Sequence, residues 1–358
     1  MTRFIVIGGG IAGISAAARL SEHADVTVLE QEDALGYHAS GRSAAMFEEN
    51  YGSPTTLALN RASAEFHHTH NGGYLTPRGL MLIAGPQDTD KFNADIETLH
   101  LTPLPVEEAR TIVPILDPEK VTLAAHHDAA LDLDTDRMIQ DFARVVRANG
   151  GQVLTRKSVD AIQHNSAGWQ VQVGEDVFEA DKLVNAAGPW VDVIAQMAGI
   201  RPIGITPLRR SMARLPAPGG HDLRNWPMLM GVGETWYAKP DAGKLLVSPA
   251  EEDPVAPHDA YADDMVLAEG LARYEAMVTE PVTRVETNWA GLRSFAPDRS
   301  LVFGPDPDAP SFIWSAGQGG YGFQTAPAGS QLVADLALGR PAALPNEIVA
   351  ALSPQRFR

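Results

Sequence analysis

Residues 3–30 read RFIVIGGGIAGISAAARLSEHADVTVLE, and the fold of the chain is decided there. Arg3 to Ile7 is a short apolar run suited to a buried strand. Gly8, Gly10 and Gly13 follow at the spacing G-x-G-x-x-G, the small-residue run Ile14 to Leu20 continues as a helix, and Val26 to Leu29 leads into Glu30. Strand, tight turn, helix, second strand and terminal acid is the order a dinucleotide site requires. The backbone must turn sharply at Gly8, approach a pyrophosphate at Gly10 and let helix and strand pack closely at Gly13. The phosphates rest on N–H groups at a helix N-terminus. Glu30 lies 22 residues after Gly8, where a carboxylate accepts from the hydroxyls of an adenosine ribose. A glycine-rich turn that binds nothing is the plainer reading, and the flanking strands and the acid argue against it.

At 358 residues the chain is too long for one hydrophobic core, so two domains are expected. Its 44% hydrophobic and 20% charged residues are those of an ordinary globule. A net charge of −17 argues against nucleic acid and anionic membrane surfaces as partners. There is no cysteine, which removes disulfides, zinc–thiolate sites, cysteine nucleophiles and any cysteinyl bond to a cofactor. The apolar start Phe4 to Leu20 looks like a signal peptide until its glycine spacing and the following strand are weighed. No uninterrupted apolar run of about 18 residues occurs, so no transmembrane segment is expected and the expected address is the cytoplasm.

Further along, Ser53 and Pro54 cap a helical run ending near Asn71, and Leu80 to Ile83 is strand-like. LDLDTD at 131–136 precedes an amphipathic run, with Asp134 as the predicted N-cap. Its alternate acids lack the glycine and distal glutamate of a calcium loop, so no metal is expected. Short alternating runs from Gln152 to Phe178 predict antiparallel hairpins, and KLVNAAGPW at 182–190 returns to a buried strand, a turn and a helix. Residues 205–281 alternate like a second antiparallel sheet. These switches predict an α/β protein: a Rossmann-type nucleotide-binding domain (1–75, 137–204 and 285–358) interleaved with an antiparallel-sheet α+β substrate-binding domain (76–136 and 205–284).

The blocks GGGIAGIS, YHASGRSAA, DLDTD, NAAGPW, RRS, YAKPDAGKLLVSPA, WAGLRSF and GQGGYGFQT occur in that order. Together they resemble the FAD-dependent D-amino-acid oxidase superfamily, with its glutathione-reductase-2-like fold. The likeness is greatest to its bacterial D-arginine and D-amino-acid dehydrogenase branch and runs to about Gly339. It implies FAD, bound noncovalently despite His38 in the loop, rather than NAD. The second glycine turn agrees, since Gly317 to Gly322 opens a helix whose N-terminus supplies the positive potential a reduced flavin needs and a nicotinamide does not. A simple bend between strand and helix remains the alternative there.

The resemblance further implies which residues hold FAD. They are Gly8, Gly10, Ile11, Ala12 and Gly13; Glu30 and Gln31; Gly41, Arg42, Ser43, Ala44 and Ala45; Val159, Ala187, Gly188 and Trp190; and Gly291, Gly319, Gly320, Tyr321, Gly322, Phe323 and Gln324. Arg210 and Arg293 are the substrate candidates, because a guanidinium makes two parallel bonds to a carboxylate. Both lie in strand-like segments, where an inward arginine is costly without an anionic partner. Alternation leaves open whether either faces solvent, and the resemblance selects Arg210 over Arg209 as the inward one. It also implies pocket roles for Tyr51, Tyr237, Gly320 and Gln324. Buried tyrosines with satisfied hydroxyls are the plainer reading of the two aromatics.

This chain departs from the D-arginine branch by having Met46, Glu48 and Leu80 at its histidine, threonine and glutamate positions. Leu80 cannot pair with a cation, so a pocket for neutral or apolar side chains is expected, with Met46 and Leu80 as lining; Glu48 or Glu49 is the alternative source of a carboxylate, from a different wall. The implied reaction is oxidation of a D-amino acid to the imino acid, then keto acid and ammonia, with electrons passed to O2 or a quinone-type acceptor. A glycine, sarcosine or other N-substituted amino-acid oxidase is the first alternative. A flavoprotein subunit that only relays electrons is the second.

Overall fold

A computed structural model describes residues 1–358. The strand Arg3–Ile7 is buried over four of its five residues because it has neighbours on both edges. Asp25–Leu29 pairs with it on one side and Lys182–Asn185 on the other, both parallel. Phe312–Ala316 extends the sheet in parallel beyond Lys182–Asn185, Val302–Pro305 closes that edge antiparallel, and Gln152–Leu154 closes the other. Continuous apolar runs suit strands covered on both faces. The helices Ile11–Ser21, Thr135–Ala148 and Gly322–Leu338 cover one face. The antiparallel meander Ala161–Asn165, Gly168–Val173 and Asp176–Ala180 packs its apolar side on the other.

A nine-stranded sheet forms the second layer, with Thr206–Leu215, Lys244–Ser248, Tyr237–Asp241, Met228–Gly231 and Leu80–Ala84 at its centre. Thr287–Phe295, placed by the expected boundaries with the nucleotide-binding segments, instead pairs along its whole length with Thr206–Leu215. Its alternating pattern fits a sheet with two differently used faces, whereas the neighbouring Phe312–Ala316 is buried throughout. A small sheet of Met46–Phe47, Leu131–Leu133 and Leu75–Pro77 pairs with neither of the large ones.

The predicted caps are in place. Ser53 accepts from the Thr56 N–H at the start of Pro54–Thr69, and Asp134 accepts from the Arg137 N–H. Gly322–Leu338 has a feature the sequence reading did not anticipate: Pro327 removes a backbone donor from its second turn. Nearby groups are taken by two side chains four residues apart on Pro54–Thr69. Ser63 Oγ accepts from the Ala328 N–H at 3.1 Å, and His67 Nε2 donates to the Gln324 carbonyl at 2.9 Å.

Burial lowers the His67 pKa to about 4, against the opposing pull of the Gln324 carbonyl. The folded value lies below the unfolded one, near 6.5, so between those limits the unfolded chain binds the extra proton and stability falls as pH falls. Denaturant titrations from pH 7 to 4 should show roughly 3 kcal/mol more loss in the natural protein than in a His67→Gln variant, which keeps a donor without the titration. Equal losses would contradict the assignment.

Candidate active site

Both glycine turns end at helix N-termini that open on one long cleft between the two sheets. At the first, a Cβ on Gly8 would lie 2.4 Å from the Ala186 carbonyl oxygen, and one on Gly13 would lie 1.9 Å from that of Gly8. These contacts draw the helix Ile11–Ser21 against its strand and aim its first turn into the cleft, where Gly10, Ile11 and Ala12 form the wall. The Ile11 N–H is already taken by Ser40 Oγ at 3.0 Å. Glu30 is buried, and its carboxylate accepts from the N–H groups of Gly9 (2.6 Å) and Glu32 (2.9 Å). Held there, it presents its remaining lone pairs to the cleft, with Gln31 beside it.

The middle of the cleft is walled by Arg42, Ser43, Ala44 and Ala45 on one side and by Val159, Ala187, Gly188 and Trp190 on the other. Gly291, Gly319, Gly320, Gly322, Phe323 and Gln324 complete it at the far end, where the second helix begins. Two orphaned helix N-termini, a fixed carboxylate at one end and close backbone walls fit an extended FAD, with its adenosine end at Glu30 and its ring near Gly319–Gln324.

Three expected cofactor contacts do not line the cleft. Gly13 acts through packing, as its contact with Gly8 shows. Gly41 makes a turn, donating its N–H to the Gly36 carbonyl at 2.5 Å. Tyr321 faces a second cavity. Arg42 contributes wall but not a free charge: its guanidinium donates to the carbonyls of Ala260 (2.9 Å) and Ala290 (3.0 Å) and to Asp259 (2.5 Å).

The substrate end is set by strand register. Arg210 pairs directly with Gly291, so Arg293, two residues on, projects from the same face, and Met212 does too. Arg209 takes the opposite face and pairs with Asp253 at 2.8 Å. Arg210, Arg293, Met212 and Tyr237 all reach the cleft, with Tyr237 under the Arg210 guanidinium at 5.9 Å. Gly320 lets the backbone come close to the clamp, since a Cβ there would lie 3.0 Å from Arg293 Cζ and push that guanidinium aside.

Glu234, which the sequence reading missed, completes this group. Its Oε1 lies 2.9 Å from Arg210 Nη1 and 3.6 Å from Arg293 Nη1, and its Oε2 accepts from the Tyr51 hydroxyl at 2.8 Å. Burial pushes the Glu234 carboxyl up, but Arg293, Arg210 and Tyr51 outweigh it and hold the group below the usual carboxylate range. The Tyr51 hydroxyl is pushed far up by burial and by Glu234, and so stays a donor. Glu234 has a φ of 51°, the left-handed region, beside Gly233 at 67°. That strained backbone in GVGET was the one available signal, and it is visible only in three dimensions. Glu252 adds a second acid, 3.4 Å from Arg210 and 2.9 Å from Arg299.

Tyr51 lines the second cavity with Glu234, Tyr321 and Arg293, the last of which both cavities share. Met46 and Gln324 line the main cleft as expected. Glu48 and Leu80 do not. Glu48 is buried against His127, 3.2 Å from Nε2, and accepts from the Asn50 N–H at 3.0 Å, so it offers no acid to the pocket. Leu80 belongs to the apolar cluster that supports Met46, Met212 and Tyr237. Among the described residues no cluster of His, Asp and Glu could hold a metal ion, and no helix is long and apolar enough to cross a membrane.

If Glu30 holds the ribose, Glu30→Ala should weaken FAD binding to the apoprotein by about tenfold or more, read by flavin fluorescence quenching. An unchanged dissociation constant would remove Glu30 from the cofactor site.

A family model described as FAD dependent oxidoreductase matches residues 3–336. N-methyl-L-tryptophan oxidase of Salmonella dublin is 23% identical, over 94% of this chain and 94% of that protein. The bifunctional tRNA 5-methylaminomethyl-2-thiouridine biosynthesis protein of Burkholderia multivorans is 24% identical over 99% of this chain, which spans only 59% of that longer protein. Among solved structures, glycine oxidase from Geobacillus kaustophilus superposes with a TM-score of 0.83 at 21% identity over the whole of both chains. L-proline dehydrogenase from P. horikoshii superposes with 0.82 at 22% identity, covering 99% of this chain and 97% of that one.

Proposed function

The chain belongs to the FAD dependent oxidoreductase family, with FAD as its cofactor, and on that premise we propose that it oxidises a D-amino acid at Cα to the imino acid. The observation that carries this reading is the guanidinium pair of Arg210 and Arg293 on one sheet face at the ring end of the cleft, already gripping a carboxylate, that of Glu234. A receptor that holds one carboxylate between two arginines and a tyrosine hydroxyl is built to hold another. Three guanidiniums, Arg210, Arg293 and Arg299, meet two glutamates there. One positive charge is left over, the complement of a single substrate carboxylate.

FAD held along the cleft by Glu30, the residue 42–45 wall and the Gly319–Gln324 turn would supply a two-electron oxidant for the Cα–H and amine of the substrate. The chain's own task is placement. Arg210 and Arg293 fix the carboxylate, Tyr237 and Met212 form the floor beside them, and Gly320 brings backbone close to Arg293. No side chain at the clamp is placed as a base, so the amine must arrive unprotonated, and kcat/KM should rise with pH through one substrate-linked ionisation. Water then hydrolyses the released imine to keto acid and ammonia. Met46 and Met212 make an apolar wall, and with Glu48 engaged by His127 the side-chain pocket favours neutral or apolar substrates over cationic ones. The D-configuration is supported by the motif resemblance, and the electron acceptor is O2 or a quinone-type molecule.

A glycine or N-alkyl amino-acid oxidase is the second reading, favoured by the likeness to N-methyl-L-tryptophan oxidase and glycine oxidase. The same clamp would serve it. An anaerobic series of D-, L- and N-methyl amino acids separates the two: D-amino acids with apolar side chains should bleach the flavin absorbance near 450 nm. Bleaching only by N-alkyl amino acids would select the second reading, and none at all an electron-relay role. Replacing Arg293 by Ala should lower kcat/KM by about a hundredfold or more. Full activity at unchanged KM would sink the clamp.

A further inference from the structure

Lys239 is buried two residues from Tyr237 on the same strand, and so on the same face, yet the reaction gives it no task. We propose that Lys239 raises the electron affinity of the bound flavin by polarising the peptide groups of residues 44–46. Its ammonium lies 2.9 Å from Asp132 Oδ1 and donates to the carbonyls of Ala44 (3.3 Å) and Ala45 (3.1 Å). The Arg42 carbonyl is turned the same way, accepting from Trp289 Nε1 at 3.1 Å. Carbonyls 42, 44 and 45 are thus all held by side chains of the substrate sheet.

In a planar trans peptide the carbonyl of one residue and the N–H of the next point in opposite directions, and the chain has no cis bond. Fixing those carbonyls therefore turns the N–H groups of Ser43, Ala45 and Met46 away from the substrate sheet, in residues that line the cofactor cleft. The N–H groups of Ser43 and Ala45 have no protein acceptor. A cation on a carbonyl strengthens the donor at the other end of the same peptide, so Lys239 acts on the cleft through the Ala44–Ala45 and Ala45–Met46 peptide units.

Charge makes the effect electronic as well as mechanical. Asp132 is shared with Arg78, whose Nε and Nη2 lie 2.8 and 2.7 Å from Oδ2. Two cations thus share one acid with little solvent to screen them, and the surplus positive charge favours the more electron-rich, reduced flavin.

The test needs no substrate. Lys239→Met, Lys239→Arg and the double variant Lys239→Met/Asp132→Asn, which keeps the net charge of the cluster while removing the ammonium from the carbonyls, are compared as holoenzymes. Readouts are FAD affinity, by apoprotein titration, and midpoint potential, by dye-coupled reduction. At a fixed potential, the ratio of reduced to oxidised flavin should fall at least tenfold in Lys239→Met, about 30 mV for a two-electron couple, and by less, about threefold, in the double variant, where only the polarisation of the carbonyls is lost. Lys239→Arg should restore most of it. Potentials within twofold of the natural protein in that ratio, an equal shift in Lys239→Arg, or loss of FAD binding in both Met variants would overturn the proposal and leave Lys239 a structural tie.

Discussion

The antiparallel ladder between Thr206–Leu215 and Thr287–Phe295 is the constraint on which the site depends. It joins segments separated by about eighty residues, and its register alone puts Arg210 and Arg293 on one face and Arg209 on the other. A one-residue slip of either strand would turn its own clamp arginine away from the cleft, separate it from the other and leave Glu234 with one cation in place of two. The same ladder places Trp289 against the Arg42 carbonyl and the Ala290 carbonyl against the Arg42 guanidinium. One strand pair therefore aligns the substrate receptor with the loop that walls the cofactor.

Local patterns with strict stereochemical demands were legible. The spacing of Gly8, Gly10 and Gly13 reads directly because a Cβ at Gly8 or Gly13 would run into backbone, and Ser53 and Asp134 read as caps because few residues can fill that role. The two arginines were legible as a pair, although alternation alone did not say which of Arg209 and Arg210 faces inward. That follows from pairing with Gly291, a long-range fact. The expected boundary near residue 285 failed for the same reason, since Thr287–Phe295 looks like a strand of either sheet until its partner is known.

What was not legible depended on convergence of distant side chains. Glu234 sits in a short turn and acquires meaning only beside Arg210, Arg293 and Tyr51. Glu48 looked available to the pocket because its partner, His127, lies on another strand. Lys239 in YAKPD reads as an ordinary strand lysine until Asp132 and the Ala44 and Ala45 carbonyls are brought to it. Even beside the second-turn proline of Gly322–Leu338, the Ala328 N–H and Gln324 carbonyl find partners only because Ser63 and His67 arrive from another helix.

The order of strands in the nucleotide-binding sheet has a consequence for biosynthesis. Arg3–Ile7 is made first, yet one of its two neighbours, Lys182–Asn185, emerges nearly 180 residues later, and that strand's own outer partner, Phe312–Ala316, later still. Until then a nascent chain carries an apolar strand with an unpaired edge, a template for wrong pairing. The cleft cannot be completed before Gly319–Gln324 has left the ribosome. Capture of FAD therefore follows the pairing of Phe312–Ala316 with Lys182–Asn185, and a chain cut short before Phe312 lacks one wall of the cofactor site.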